Sequence, residues 1–185
     1  MTHTNSPYNL PNAITVARIL LVPLYIWLTL HFGIAGPMAW WAILVFVVAI
    51  ATDGVDGAIA RRRGLITNLG KILDPIADKA LTGAGFILMA HFGMVSWWIV
   101  ALLLLREWGI TAWRLTIASK RVVAASGGGK IKTILQAIVI PLMLSPLAAS
   151  FNWIALSAQV LFWITVAVTL ITGVQYLLAA RKPSV

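Results

Sequence analysis

Residues 53–61 read Asp53-Gly54-Val55-Asp56-Gly57-Ala58-Ile59-Ala60-Arg61, and Gly70, Asp74 and Asp78 follow shortly after them. The whole chain has five acidic residues, and four of them are the aspartates of this stretch. The fifth is Glu107. A chain that excludes carboxylates almost everywhere else has collected them here. This stretch, which we call the acidic motif, is therefore the first candidate for a functional site.

The composition is that of a membrane protein. Of the 185 residues, 61% are hydrophobic and only 10% are charged, whereas soluble domains are about 45–50% apolar. The basic residues behind the net charge of +9 lie between apolar runs. Membrane lipids and phosphate-bearing substrates are therefore expected as partners, and nucleic acid is not. The absence of cysteine excludes disulfides and thiolate metal sites. The length fits a single domain spanning residues 1–185.

The apolar runs predict an all-α fold with six transmembrane helices, because one span needs roughly 20 apolar residues. We expect these helices at residues 11–31, 37–60, 70–90, 96–119, 131–149 and 153–178. Pro23, Pro75 and Pro141 fall inside them and are expected to kink or break them locally.

The connections between these helices are short. The glycines between Gly33 and Gly36, and the region of Gly93, predict tight turns. The run Ser126-Gly127-Gly128-Gly129 predicts the most flexible link in the chain.

The distribution of positive charge predicts the orientation in the membrane. Lys and Arg residues lie between helices two and three, between helices four and five, and after helix six, whereas the opposite loops have none. The positive-inside rule then places both termini and the acidic motif on the cytoplasmic side of a bacterial-type cytoplasmic membrane. Six tryptophans are predicted to form an aromatic belt at the other side: Trp27, Trp40, Trp41, Trp97, Trp98 and Trp153.

Helical spacing arranges the acidic motif into two faces. One face has i, i+3, i+4, i+7 spacing and consists of Asp53, Asp56, Gly57 and Ala60. Asp74 and Asp78 share a face of the next helix, with Gly70 one turn earlier. If the two helices are antiparallel neighbours, the carboxylates converge near the cytoplasmic interface. Such a group of hard oxygen ligands suits magnesium, manganese or calcium.

This spacing resembles the signature of the CDP-alcohol phosphatidyltransferases, D-x2-D-G-x2-A-R-x8-G-x3-D-x3-D, at every fixed position. The resemblance implies CDP-diacylglycerol as donor, a homodimer, and two divalent metal ions, Mg or Mn. The implied metal ligands are Asp53, Asp56, Asp74 and Asp78, of which Asp78 also acts as the general base. The implied CDP-binding residues are Asp53, Asp56, Gly57, Ala60, Arg61 and Thr67.

A second group of charges resembles the members of that family whose acceptor is glycerol 3-phosphate. The resemblance implies binding of the acceptor phosphate by Arg106, Arg114, Lys130 and Lys132. Asn12 and Arg18, in the stretch Pro11 to Arg18, are implied as substrate contacts. Glu107 is able to form an ion pair with Arg106 or Arg114, and such a pair would have a purely structural role. Trp108 departs from the smaller aliphatic residue expected after Glu107.

Other functions stay open at this point. Another family member would use inositol phosphate, inositol or serine as acceptor. A divalent-cation carrier also needs intramembrane acids, but it should carry them at several depths, and here all four lie at one end. A structural scaffold would not need the acids at all.

Overall fold

The structure is a computed structural model that describes residues 10–63, 68–117 and 127–181. Within these ranges some side chains lie outside the described part: those of residues 10, 11, 53–63, 68, 69, 71, 114, 116, 117, 127, 128 and 179–181. The helices are α1 (Leu10–Phe32), α2 (Ala39–Arg63), α3 (Asn68–His91), α4 (Trp97–Ile117), α5 (Gly127–Met143), α6 (Pro146–Ser150) and α7 (Asn152–Arg181). The described residues contain no strand. The all-α prediction is therefore confirmed, and each of the six long helices α1–α5 and α7 overlaps one of the six predicted segments.

The chain divides into two compact units, Met1–Leu88 and Met89–Val185. In the first unit, α1 packs along α2. The rings of Tyr25 and Phe46 lie 5.2 Å apart between these helices. The small buried residues Ala42 and Ala49 of α2 leave room for the large side chains of α1.

In the second unit, α7 is the central helix and contacts α4, α5 and α6. Its buried residues include Phe162 and Val166, and a row of threonines lies among them: Thr165, Thr169 and Thr172. Spacings of four and three residues place these threonines on one side of α7.

The predicted fifth helix, 131–149, is wrong in its extent. The helix α5 starts earlier, at Gly127, so the three glycines predicted as a flexible link form its first turn. It ends at Met143, and the short helix α6 follows. Pro146 causes this break because its ring lacks an N–H and cannot continue a helix. Ser145 caps α6, with its Oγ accepting from the Ala148 N–H at 3.3 Å.

Glycine turns join the helices where the sequence predicts them. Gly33, Gly36 and Gly93 all have positive φ, at 71°, 89° and 70°. At the end of α3 the Gly93 N–H donates to Ala90 O at 3.0 Å and the Met94 N–H donates to Met89 O at 2.9 Å. This pattern closes a helix by satisfying its last carbonyls.

The surface carries large apolar side chains. Trp98 is 85% exposed and Leu105 is 74% exposed. Extended apolar surface of this kind marks contact with lipid or a partner. Among the described residues, two helical segments are long and apolar enough to cross a membrane, Asn12–Phe32 and Asn152–Leu178, and a shorter apolar segment covers Ala39–Thr52.

Candidate active site

Asp74 and Asp78 lie one turn apart on α3, and both are partly buried. The Thr15 hydroxyl of α1 donates a hydrogen bond of 2.6 Å to Asp74 Oδ1. Thr15 is itself buried, and Asp74 is partly buried. The bond holds Oδ1 of the Asp74 carboxylate in place. Because the carboxylate is planar and rigid, the position of Oδ2 is then fixed as well.

Asp78 has a cation as its neighbour. Lys79 Nζ lies 2.6 Å from Asp78 Oδ2, and the Asp78 side chain is 25% exposed. The backbone carbonyl of Asp78 accepts from the Thr82 hydroxyl at 2.9 Å. The carboxylate therefore remains reachable from solvent while the main chain around it is held.

Arg18 connects α1 to the helix that carries the first two acids. It is 1% exposed, and its Nε donates to Ala49 O at 3.1 Å. The Thr52 hydroxyl donates to the same carbonyl at 2.8 Å. Ala49 lies one helical turn before Asp53.

One side of α1 thus reaches both acid-bearing helices. Thr15 holds Asp74 of α3, and Arg18, three residues later, holds α2 immediately before the acidic motif. Asn12, a further turn toward the start of α1, is also buried. Asn12 and Arg18 were predicted as substrate contacts; both side chains are buried, and their contact with substrate stays a prediction.

The remaining positions of the acidic motif are placed by their backbone. Residues 53–61 lie in α2, so the helical spacing that puts Asp53, Asp56, Gly57 and Ala60 on one face is present. Their side chains and that of Arg61 lie outside the described part, as does Thr67 altogether. Gly70 is buried on α3, one turn before Asp74.

The residues fit a divalent cation by the chemistry of their oxygens. Asp74 and Asp78 offer carboxylates on one helix face, and the Thr15 hydroxyl orients the first of them. Carboxylate oxygens are the ligands that magnesium and manganese prefer, and a bond from a neighbouring donor is what usually orients such a ligand. Within the described side chains, no group of three or more potential ligands occurs.

A second polar cluster lies in the other unit, around Glu107. Glu107 is 3% exposed and Lys132 is 6% exposed. Lys132 Nζ lies 2.8 and 2.7 Å from the two carboxylate oxygens of Glu107. Arg106 donates from Nη1 to Glu107 Oε1 at 2.9 Å. Gln136 Nε2 lies 3.5 Å from the same oxygen.

Of the four residues predicted to bind the acceptor phosphate, the structure brings two together. Arg106 and Lys132 share Glu107 as their partner. Lys130 is exposed, and a separation of two residues turns it about 200° around α5 from Lys132. Arg114 lies on α4, and its side chain is outside the described part. Trp108, the departure noted in the sequence, is 40% exposed.

Counted over the described residues, the Glu107 cluster contains two cations and one carboxylate, an excess of one positive charge. Arg106 Nη2 donates to the Thr172 hydroxyl of α7 at 2.9 Å. Arg106 Nε is buried and has no hydrogen-bond partner among the described residues. A buried site with surplus positive charge and unused donors can bind an anion.

The sequence did not single out Thr15 or Thr172 as site residues. A signal for each was present. Thr15 lies between Asn12 and Arg18 at three-residue spacing in an otherwise apolar helix, and Thr172 belongs to the row of threonines on α7. Polar residues at helical spacing within an apolar segment usually face other protein groups.

Comparison with known proteins agrees with the signature. Residues 8–171 match the family model described as CDP-alcohol phosphatidyltransferase. A protein of Mycobacterium tuberculosis named "Probable phosphatidylglycerophosphate synthase" is 39% identical over 94% of this chain and 82% of its own length. Two proteins named "CDP-diacylglycerol--glycerol-3-phosphate 3-phosphatidyltransferase" are also similar. The one from Bacillus subtilis is 38% identical over 91% of this chain and 93% of its own. The one from Escherichia coli is 34% identical over 94% of this chain and 96% of its own.

Proposed function

The chain belongs to the CDP-alcohol phosphatidyltransferase family, and on that premise we propose that it transfers the phosphatidyl group of CDP-diacylglycerol to glycerol 3-phosphate. The products are phosphatidylglycerophosphate and CMP, and the reaction belongs to phospholipid biosynthesis. The observation that carries this proposal is the similarity to relatives with that named activity over nearly the whole chain. The acidic motif and the Glu107 cluster supply the two kinds of site that the reaction needs.

In this proposal the acidic motif binds the donor. Asp53, Asp56, Asp74 and Asp78 would hold two divalent ions, which when bound screen the charge of the pyrophosphate. The CDP portion would contact the α2 face and the residues after it: Asp53, Asp56, Gly57, Ala60, Arg61 and Thr67. Arg61 offers a planar fork of donors that matches a phosphate.

Asp78 would act as the general base. Its carboxylate is partly exposed, so an acceptor hydroxyl can approach it. Asp78 takes the proton of the primary hydroxyl, and that oxygen forms a bond to the lipid-side phosphorus. The bond from this phosphorus to the CMP oxygen breaks, and CMP leaves with the electron pair. General bases of this kind contribute about 10²–10⁴ to the rate.

The Glu107 cluster would bind the phosphate that the acceptor carries. Arg106 and Lys132 supply its surplus positive charge, and Arg114 and Lys130 belong to the same proposed site. Buried charge-assisted hydrogen bonds to phosphate are among the stronger polar interactions in proteins. An acceptor without a phosphate, such as inositol or serine, would leave this charge unused.

The proposed setting is a bacterial-type cytoplasmic membrane, with the six long helices as spans. The charge distribution favours termini and an active site that face the cytoplasm. Glycerol 3-phosphate, a soluble dianion, would then enter from that side. A homodimer is the proposed assembly.

An acceptor panel tests the proposal. Purified protein in mixed micelles with CDP-diacylglycerol and magnesium is given one acceptor at a time: glycerol 3-phosphate, inositol 3-phosphate, inositol or serine. We expect CMP release and a new phospholipid with glycerol 3-phosphate only. Faster CMP release with any other acceptor would assign the protein to another branch of the family.

A further inference from the structure

Gly173 of α7 lies directly against the side chain of Arg106. A Cβ at this position would lie 2.9 Å from Arg106 Nε and 3.2 Å from Arg106 Cγ. A real Cβ cannot approach so closely without moving its neighbour. Gly173 does not have the positive φ that favours glycine in turns. The small residue is therefore needed for space, and that space is filled by Arg106.

Thr172, the residue before Gly173, holds the other edge of the same guanidinium. Its hydroxyl donates to Val168 O at 2.7 Å and lies 3.0 Å from Thr169 O. A hydroxyl has one proton and two lone pairs, so its proton is committed to the backbone of α7. The oxygen is then left as an acceptor, and Arg106 Nη2 donates to it at 2.9 Å.

Three neighbouring residues thus hold the Arg106 side chain in place. Glu107 accepts a hydrogen bond from Nη1, and Thr172 accepts one from Nη2. Gly173, which has no side chain, leaves room for the Arg106 side chain. Arg106 has five N–H donors, and the structure gives partners for two of them. Hydrogen bonds from both terminal nitrogens fix the plane of the guanidinium, so the direction of the remaining N–H donors is fixed too.

Two buried polar atoms without hydrogen bonds among the described residues lie at or near the Arg106 guanidinium. Arg106 Nε and Thr169 Oγ1 are buried and have no partner among the described residues. Thr169 lies one turn before Gly173 on α7. Buried polar atoms without partners are costly, and an anion or water at this position would satisfy them.

We propose that Thr172 and Gly173 are positioning residues that set the guanidinium of Arg106 for the acceptor phosphate. The proposal rests on the proposed function, because it assumes that Arg106 binds that phosphate. It adds α7 to the acceptor site. Specificity for a phosphorylated acceptor then depends on a glycine and a threonine that need not touch the acceptor themselves.

Two substitutions test this, each with a matched control. Gly173→Ala pushes Arg106 aside. Gly109→Ala on α4 adds the same methyl where, apart from its chain neighbours and its own helix backbone, no atom of the described residues lies within 4 Å. Thr172→Val removes the acceptor oxygen at nearly constant shape, whereas Thr172→Ser keeps it. The measurements are kcat, the KM for glycerol 3-phosphate, the KM for CDP-diacylglycerol and the unfolding temperature in detergent.

We expect Gly173→Ala and Thr172→Val to raise the KM for glycerol 3-phosphate about tenfold, since a misdirected charged donor loses much of its binding. The KM for CDP-diacylglycerol should stay within about twofold, and Thr172→Ser should restore the KM for glycerol 3-phosphate. A wild-type KM for glycerol 3-phosphate in both Gly173→Ala and Thr172→Val would overturn the proposal. So would an equal rise in both KM values together with a lower unfolding temperature, which is the signature of a purely structural role.

Two further outcomes are also decisive. If Gly173→Ala does not accumulate in the membrane, the comparison of Thr172→Val with Thr172→Ser decides alone: equal KM values for glycerol 3-phosphate would refute the proposal. If wild-type protein releases no CMP with glycerol 3-phosphate, the proposed function fails first, and this inference fails with it. Normal wild-type activity with unaffected variants refutes only the positioning role.

Discussion

Replacing Glu107 by glutamine should strongly destabilise the second unit of the protein. The carboxylate is 3% exposed and contacts Lys132 through both oxygens and Arg106 through one. In Glu107→Gln the two cations remain buried and lose the carboxylate that both of them contact. Part of the new amide would also present N–H donors to a cation.

The expected magnitude follows from the burial. Removing one partner of a buried ion pair typically costs about 3–5 kcal/mol, and little solvent screening applies here because Lys132 is also only 6% exposed. For a chain of this size about 1 kcal/mol lowers the unfolding temperature by about 2–4 °C. Glu107→Gln should therefore lower it by roughly 6–20 °C.

The assay is thermal unfolding in detergent, followed by tryptophan fluorescence at one fixed scan rate. Lys130→Gln is the control, because Lys130 is an exposed cation on the same helix as Lys132; its effect should stay within about 0.5 kcal/mol. The double variant Glu107→Gln with Lys132→Met removes both members of the closest pair and should recover at least about 1 kcal/mol of the loss. An unfolding temperature of Glu107→Gln within about 2 °C of wild type, or an equal loss in Lys130→Gln, would refute the reasoning.

Three other substitutions have defined outcomes. Thr15→Val removes the hydrogen bond to Asp74 and should raise the magnesium concentration for half-maximal activity about tenfold; Thr29→Val, which loses only a bond to its own helix, should leave that concentration unchanged. Tyr25→Phe removes a buried hydroxyl that has no partner among the described residues. The free energy of unfolding should therefore rise by about 1 kcal/mol, seen as a higher unfolding temperature. A lower unfolding temperature would show that the hydroxyl is hydrogen-bonded. Gly93→Ala forces a side chain into a backbone with φ of 70° and should cost about 1–2 kcal/mol, measured by the same thermal unfolding, and no change would mean that the turn relaxes freely.

The fold was largely predictable because apolar length and glycine turns are local signals. Six apolar runs predicted the six long helices, and Gly33, Gly36 and Gly93 have the positive φ that a tight turn requires. The break before α6 was harder. Both Pro141 and Pro146 lie near it, and proline at the first turn of a helix is tolerated while proline further along disrupts it. Which one marks the break depends on the Ser145 cap, a detail of local geometry.

The polar sites were predictable in part. Helical period alone places Asp74 and Asp78 on one face, since both belong to one helix. The partner of Glu107 was left open between two arginines of α4. The structure shows that Arg106 contacts Glu107 and adds Lys132 of α5, whereas the Arg114 side chain lies outside the described part. Sequence could not predict Lys132, because that contact depends on which helices pack together. The roles of Thr15 and Gly173 likewise depend on neighbours from distant parts of the sequence. The helical repeat shows which residues of one helix share a face, but not which residues of another helix they contact.

The central claim is that the acidic motif transfers a phosphatidyl group to glycerol 3-phosphate with Asp78 as the base. The most direct measurement compares wild-type and Asp78→Asn proteins of matched unfolding temperature, with saturating CDP-diacylglycerol, magnesium and glycerol 3-phosphate, by the rate of CMP release and the mass of the lipid product. We predict phosphatidylglycerophosphate from the wild type and a rate at least about a hundredfold lower in Asp78→Asn. Full CMP release by Asp78→Asn, or a wild-type lipid product of another mass, would contradict the claim.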